Sequence, residues 1–334
     1  MPQHMITNAD SFWTEATLLH NDAGFETLAL KLFGYQVRHV PVYREFVRLC
    51  GVSPESVNSI SKIPFLPVEF FKNFKVHDVE SDPELCFSSS RTTGSEPSRH
   101  YVANPEIYKQ SFLEGFRRVY GDPSNYCFLA LLPGYLERGD SSLVFMVNGL
   151  MQASGHDHNG FYLNDHGMLA EKLVFLNQQN CKVMLLGVSF ALLDFLEQNP
   201  LHLPGVTVME TGGMKGRGKE LIRAELHERI RQACGVKDVH SEYGMTELLS
   251  QAYSTSVGVF SCPPWMQVLV RETDDPFGPF KCGVTGFIHI IDLANVHSCA
   301  FLCTKDLGKS MTDGRFEVLG RSDASEIRGC NLMV

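Results

Sequence analysis

The residues best suited to chemistry stand at His240 to Glu247, read His-Ser-Glu-Tyr-Gly-Met-Thr-Glu. The stretch from Val236 to Val239, β-branched at both ends, leads into them and places them at the carboxyl end of a strand. Open α/β sheets bind their ligands at such an edge. Tyr243, Gly244, Thr246 and Glu247 supply a ring, a flexible glycine, a hydroxyl and a carboxylate. A ring can stack on a base, a hydroxyl can meet a phosphate, and a carboxylate can hold Mg²⁺. Taken alone, the block also fits a tight polar turn. A second stretch, Ser88-Ser89-Ser90-Arg91-Thr92-Thr93-Gly94-Ser95-Glu96-Pro97-Ser98, is dense in hydroxyls and small residues. It suits a donor-rich loop that wraps phosphate oxygens, and equally a solvated Ser/Thr linker.

Tyr243-Gly244-Met245-Thr246-Glu247 resembles Tyr-Gly-x-Thr-Glu, the signature of the adenylate-forming superfamily, whose members activate carboxylic acids with ATP. Upstream, Ser88 to Pro97 resembles the phosphate loop of that superfamily, Ser-Gly-Thr-Thr-Gly-x-Pro. Arg91 replaces a glycine there, and one extra residue separates Gly94 from Pro97. Further on, Thr304-Lys305-Asp306 resembles Thr-Gly-Asp, and Gly320-Arg321-Ser322-Asp323 matches Gly-Arg-x-Asp. The order of the four motifs gives the resemblance its weight.

The resemblance implies ATP as substrate and Mg²⁺ as cofactor. Ser89, Ser90, Arg91, Thr92, Thr93 and Gly94 would cradle phosphates, and Gly212 and Gly213 would let backbone approach the adenine. Glu242, Tyr243, Gly244 and Met245 would complete the nucleotide site, with Tyr243 packing on the base. Asp306 would take the ribose hydroxyls, beside Arg321, and Glu247 would hold the metal. Thr246 and Glu247 are thus catalytic candidates, joined by Cys330.

The sequence ends eleven residues after Asp323, with Cys330 near that end. A core without a C-terminal lid domain, carrying such a cysteine, resembles the acyl-protein synthetases of the bacterial fatty-acid reductase complex. That resemblance implies activation of a fatty acid, transfer of the acyl group to Cys330, and delivery to a reductase or carrier protein. An acyl- or aryl-CoA ligase whose lid is missing or separate remains open. So does an inert adenylate-binding protein, given Arg91 and Lys305.

Two other clusters read as decoys. Gly213-Met214-Lys215-Gly216-Arg217-Gly218-Lys219-Glu220 nearly spells a P-loop, but Glu220 stands where a hydroxyl must hold Mg²⁺. His156-Asp157-His158 with His166, and His297 with Cys299 and Cys303, read as ordinary polar or strand residues rather than metal ligands.

The elements that must position these residues follow from periodicity. Residues 9–50 read as helices, with Phe25, Leu28, Leu32 and Tyr35 at helical spacing and Pro41 opening a short helix. Residues 60–76 read as coil packed by aromatics. Asn104 and Pro105 begin the next helix. Strands are predicted at Tyr126–Leu132, Lys182–Leu186, Val206–Glu210 and Val236–His240. Helices alternate with them at Ser141–Ala153, His166–Gln179, Phe190–Glu197 and Lys219–Ala233. Short strands then follow at Gln251–Ser254, Met266–Arg271, Gly286–Asp292, Ala300–Cys303 and Arg315–Leu319. The expected fold class is α/β: a layered adenylate-forming core plus a smaller β-rich subdomain, without the lid. The motifs divide it at 1–240, 241–323 and 324–334.

Composition narrows the function class. With 334 residues, 44% hydrophobic and 20% charged, the chain reads as an ordinary globular protein with a large core. A formal charge of −9 argues against nucleic acid as partner. The longest apolar run, Val183 to Leu196, is too short and too interrupted to span a membrane. No charged-then-apolar leader opens the sequence, and ten cysteines without Cys-x-x-Cys suit reduced thiols, so a cytoplasmic location is expected.

Overall fold

The structure, a computed structural model, describes residues 9–89, 96–132, 139–162, 165–212, 221–275 and 278–322. The chain opens with α1 (Asp10–Thr17), α2 (Asp22–His39), α3 (Pro41–Leu49), β1 (Leu66–Pro67) and α4 (Phe70–Asn73). Next come β2 (Leu85–Ser88), β3 (Arg99–Val102), α5 (Pro105–Tyr120), β4 (Cys127–Leu131), α6 (Ser142–Ser154) and β5 (Gly160–Phe161). Then follow α7 (His166–Gln178), β6 (Val183–Val188), α8 (Ser189–Gln198), β7 (Val206–Thr211), α9 (Arg223–Cys234) and β8 (Val239–Tyr243). The last elements are β9 (Ala252–Ser254), β10 (Val259–Phe260), β11 (Met266–Arg271), β12 (Thr285–Asp292), β13 (Phe301–Ser310) and β14 (Phe316–Arg321).

Two compact units form. One draws on the chain up to Phe70, on Val76–Glu80 and on the residues from Pro264 onward; the other holds Phe71–Lys75 and Ser81–Pro263. The units cut the chain differently from the motif order, because the N-terminal helices find their partners far along the sequence. Gln36 Nε2 donates to the Asn295 carbonyl at 2.7 Å, Trp13 stands edge-on to Trp265 at 5.3 Å, and Leu66 pairs with Leu302.

The first unit is built on a sheet in the order β14-β13-β12-β11, with β1 paired in parallel to β13. Strands β11 to β14 are joined antiparallel. In β12 and β13 the apolar positions Ile288, Ile290, Phe301 and Leu302 are fully buried. β13 is longer than its apolar start implies. It runs through Lys305, Asp306 and Lys309 to Ser310, because both its edges are paired, to β12 and to β14. Residues 60–76, expected as coil, contain β1 and the one-turn α4.

The second unit is organised on a sheet in the order β5-β4-β6-β7-β8-β9. The first five run parallel, and β9 returns antiparallel along β8. Every residue of β4 and β6 is buried, as expected for parallel strands covered on both faces. The intervening helices start and stop where their caps dictate. Asn104 accepts from Glu106 N to open α5, and Asp165 accepts from Met168 N to open α7. Gly155 and Gly235, in left-handed conformation, close α6 and α9. A separate antiparallel pair, β2 with β3, flanks the hydroxyl-rich stretch. Among the described residues no helix is long and apolar enough to cross a membrane.

Candidate active site

The parallel register brings the carboxyl ends of β6, β7 and β8 into line. Val188 pairs with Thr211, and Thr211 pairs with Glu242. Beyond them the chain leaves the sheet at Ser189, Gly212 and Gly244. Gly212 has φ +71°, is exposed, and has nothing among the described residues within 4 Å of where a side chain would start. Ser189 Oγ reaches the Gly212 carbonyl at 2.5 Å and a Glu210 oxygen at 2.8 Å, which pins this strand end.

The signature block straddles the end of β8. Glu242 and Tyr243 belong to the strand, while Gly244, Met245 and Thr246 turn away half-buried. Leu248 N closes the turn on the Met245 carbonyl at 3.1 Å. The Tyr243 ring is 8% exposed and meets Phe260 at 5.9 Å. Glu247 is 7% exposed, a carboxylate held inside the protein just past the sheet edge. Gly244 leaves room for its neighbour: a Cβ there would lie 2.5 Å from Glu242 Oε1, and that side-chain end would have to shift.

One residue without a signal in the sequence reaches this turn. His100 on β3 is 1% exposed, and its Nδ1 lies 2.8 Å from the Thr246 carbonyl oxygen. β3 also closes the foot of the hydroxyl-rich stretch. Ser89 N donates to the Ser98 carbonyl at 3.0 Å, and Ser98 N donates to Ser89 Oγ at 2.9 Å. Ser89 therefore sits at the stem, while Ser90, Arg91, Thr92, Thr93 and Gly94 lie outside the described residues. Gly213, the P-loop-like run 213–220, Asp323 and Cys330 also lie outside them.

Two buried carboxylates at the edge behave oppositely. Burial works to raise the Glu210 carboxyl, but His227, Arg223, Ser241 and Ser189 outweigh it and hold the group below the ordinary carboxylate range. Arg223 Nε stands 3.2 Å from Glu210 Oε1, and His227 Nε2 stands 3.6 Å from the same oxygen. For Glu242, burial pushes the carboxyl up to about 7; the hydrogen bond from Thr211 Oγ1 opposes the shift and the Glu210 charge adds to it. Adjacent strands thus carry one ionised carboxylate and one that titrates near neutrality. The sequence signal for Glu210 was a carboxylate at the end of an otherwise apolar strand. Its partners Arg223 and His227 carried none.

Asp306 and Arg321 belong to the other unit. They are register partners across β13 and β14, with Arg321 Nε 3.9 Å from Asp306 Oδ1. Asp306 N donates to Thr304 Oγ1, and Lys305 pairs with Glu69 at 2.7 Å. The histidine decoys are accounted for locally. His156 Nε2 lies 3.5 Å from Cys181 Sγ, His297 Nε2 lies 2.7 Å from Asp10, and Cys299 is fully buried. Among the described residues no group of three or more His, Cys, Asp or Glu is placed to hold a metal ion. One carboxylate such as Glu247 nevertheless fits Mg²⁺ bound in the manner that leaves most ligands to phosphate oxygens and water.

No family model matches the sequence, and no curated protein matches it. Solved structures do. An open conformation of 2-hydroxyisobutyryl-CoA ligase in complex with 2-HIB-AMP and CoA superposes with a TM-score of 0.66 at 14% identity, covering 97% of this chain and 76% of that one. ATP-bound MatB from Rhodopseudomonas palustris gives 0.53 at 17% identity, covering 71% of this chain and 47% of that one. An ATP-bound RpMatB-BxBclM chimera gives 0.55 at 17% identity, covering 73% of this chain and 49% of that one. This chain thus spans about half the length of MatB and of the chimera. It has the α/β fold of the adenylate-forming ligases.

Proposed function

We propose that this protein uses ATP to activate a carboxylic acid as an acyl-adenylate, releasing pyrophosphate. One observation carries the reading: within an adenylate-forming ligase fold, Tyr243 to Glu247 leave the carboxyl edge of the parallel sheet beside the open backbone of Gly212. Open α/β sheets place ligands at such an edge. Tyr243 packs on the base, Thr246 offers its hydroxyl to phosphate, and Glu247 holds Mg²⁺. Bound there, the ion would neutralise charge on the phosphates. Glu242, Gly244 and Met245 shape the turn, and Ser89 to Gly94 screen phosphate charge as the acid's carboxylate attacks the α-phosphorus. Asp306 takes the ribose hydroxyls, with Arg321 beside it.

The finer reading rests on the sequence. The acid is a fatty acid, and Cys330 as thiolate attacks the acyl carbonyl of the adenylate. AMP leaves with its phosphate oxygen, and a thioester forms on the protein. A reductase or carrier protein then accepts the acyl group, in the cytoplasm. A second reading, an acyl-CoA ligase, is favoured by the likeness to a ligase solved with CoA.

Incubation with ATP, Mg²⁺ and labelled fatty acid without CoA separates the readings. Label that remains on denatured protein and leaves with hydroxylamine supports the synthetase. Cys330→Ser is then expected to keep acid-dependent ATP–pyrophosphate exchange and to lose the label. Acyl release that requires CoA favours the ligase, and absence of AMP and of exchange overturns adenylation.

A further inference from the structure

A buried carboxylate, a guanidinium and two rings stand in series at the end of the parallel sheet. Arg223 Nε donates to Oε1 of Glu210, on the last turn of β7, at 3.2 Å. The guanidinium carbon of Arg223 lies over the Phe260 ring, 5.0 Å from its centre. Phe260, on β10 and fully buried, meets the Tyr243 ring edge-on at 5.9 Å, with 63° between the planes. All four residues belong to the second unit. The series is also held from the sides. Gly258, with φ +71°, passes so close to Arg223 that a Cβ there would lie 2.9 Å from its Cδ. Next to Phe260, Ser261 N donates to the Tyr253 carbonyl at 2.9 Å, and Tyr253 N donates to the Ser261 carbonyl at 3.1 Å. Tyr253 lies on β9, which pairs with β8, so the segment that carries Phe260 is tied to the strand that carries Tyr243.

We propose that Arg223 is a positioning residue: through Phe260 it sets the plane of the Tyr243 ring, and with it the surface on which the base of ATP packs. This rests on the adenylate-forming reading, which gives Tyr243 the base, and adds the residues that orient the ring.

Each link has a physical preference for its geometry. Edge-to-face aromatic pairs favour one separation and one inclination, so the Tyr243 ring follows the plane of Phe260. The face of Phe260 is the negative side of its quadrupole and attracts the cation above it, and a planar guanidinium suits that position. The Arg223 side chain is 27% exposed, and water competes for it. Glu210 opposes that pull with a counter-charge it cannot carry outward, since Ser189 Oγ donates to the same carboxyl at 2.8 Å and the residue is 3% exposed. At its other end Arg223 is fixed as the first residue of α9. Position is thus passed from the end of β7 to the ring on β8 by side chains alone, without use of the turn that follows Tyr243.

The test compares wild type with Arg223→Met, Arg223→Lys, Phe260→Leu and the Arg223→Met/Phe260→Leu double variant, each with a cooperative melting curve. ATP is titrated by calorimetry, and acid-dependent ATP–pyrophosphate exchange is followed against ATP and against pyrophosphate. Arg223→Met and Phe260→Leu should each weaken ATP about tenfold. KM for ATP should rise in step, the rate at saturating ATP should fall far less, and KM for pyrophosphate, which has no base, should not move. The double variant should be little worse than either single one, because both act through one contact. Arg223→Lys keeps a cation for Glu210 and Phe260 and should recover most of the affinity. Should Arg223→Met fail to fold, Arg223→Gln, which keeps a donor for Glu210 without the charge, takes its place. Proton spectra with labelled tyrosine, in which Tyr243→Phe assigns the ring, read its setting without nucleotide. The Tyr243 signal should move in Arg223→Met and in Phe260→Leu and return in Arg223→Lys. An unmoved signal, unchanged ATP affinity, equal losses for ATP and pyrophosphate, or effects of the two substitutions that simply add overturns the proposal. Wild type that binds no ATP overturns the adenylate-forming reading instead, whereas wild type and variants that bind ATP equally overturn the positioning role alone.

Discussion

The Nδ1 atom of His100 and the carbonyl oxygen of Thr246 lie 2.8 Å apart, across 146 residues of chain. This bond fastens the strand that follows the hydroxyl-rich stretch to the turn of the signature block. Phe71 stands edge-on to the imidazole at 5.5 Å. His100→Ala should cost about 1–3 kcal/mol of stability, through an unpaired carbonyl, and lower acid-dependent exchange about tenfold or more. His100→Asn, whose amide can replace Nδ1, should recover much of both. Exchange and denaturation curves for the two variants check this; full exchange in the alanine variant would make the tie dispensable.

The Glu210 cluster predicts a sign on the acid side. A carboxyl held below its ordinary range stabilises above the unfolded value, and that contribution is lost as pH falls through the folded value. Arg223→Met removes the guanidinium 3.2 Å from a carboxylate that is 3% exposed. The loss at neutral pH should be about 1–3 kcal/mol and should shrink at acid pH as Glu210 takes up its proton, below the ordinary carboxylate range. Urea midpoints of both proteins at the two pH values measure the difference.

Glu247→Gln keeps the size of the side chain and removes its charge. If the carboxylate holds Mg²⁺, exchange should fall about a hundredfold or more while the melting curve stays cooperative. Exchange equal to wild type in a folded variant would take Glu247 out of the site.

In the other unit, Tyr35 Oη donates to Asp78 Oδ2 at 2.6 Å, and Asp78 is fully buried. Its remaining bonds include one from Glu80 N at 2.9 Å, with His297 Nδ1 at 3.8 Å. Tyr35→Phe leaves a buried carboxylate short of a donor and should lower stability by about 1.5–3 kcal/mol. Guanidinium denaturation reads this without any assay of function.

Much of the parallel core was legible because its signals are local. The predicted strands at Tyr126–Leu132 and Val206–Glu210 became Cys127–Leu131 and Val206–Thr211, and the helix at His166–Gln179 became His166–Gln178. Apolar runs and caps specify such elements within a dozen residues. The strand expected to end at His240 runs instead from Val239 to Tyr243, because the returning β9 pairs with Ser241, Glu242 and Tyr243. The strand expected to stop at Cys303 continues to Ser310 for a similar reason: pairing on both edges sustains Lys305 and Asp306, which no apolar pattern marks. Around the candidate site, the signature block announced itself by residue type. His100, Arg223 and the Thr211–Glu242 bond did not, since each depends on a partner 13, 31 or 146 residues away that no local pattern marks.

The split composition of the first unit has a consequence for how the protein is made on the ribosome. Residues 81–263 of the second unit emerge as one uninterrupted stretch and can pair their strands as they appear. Helices α1 to α3 emerge earlier, yet β1 must wait for Leu302 and Cys303, and Gln36 must wait for Asn295. For most of synthesis, Phe33 and Tyr43 lack the Phe301 ring they pack against in the finished protein. Apolar faces made early are thus covered only once residues 295–302 have appeared.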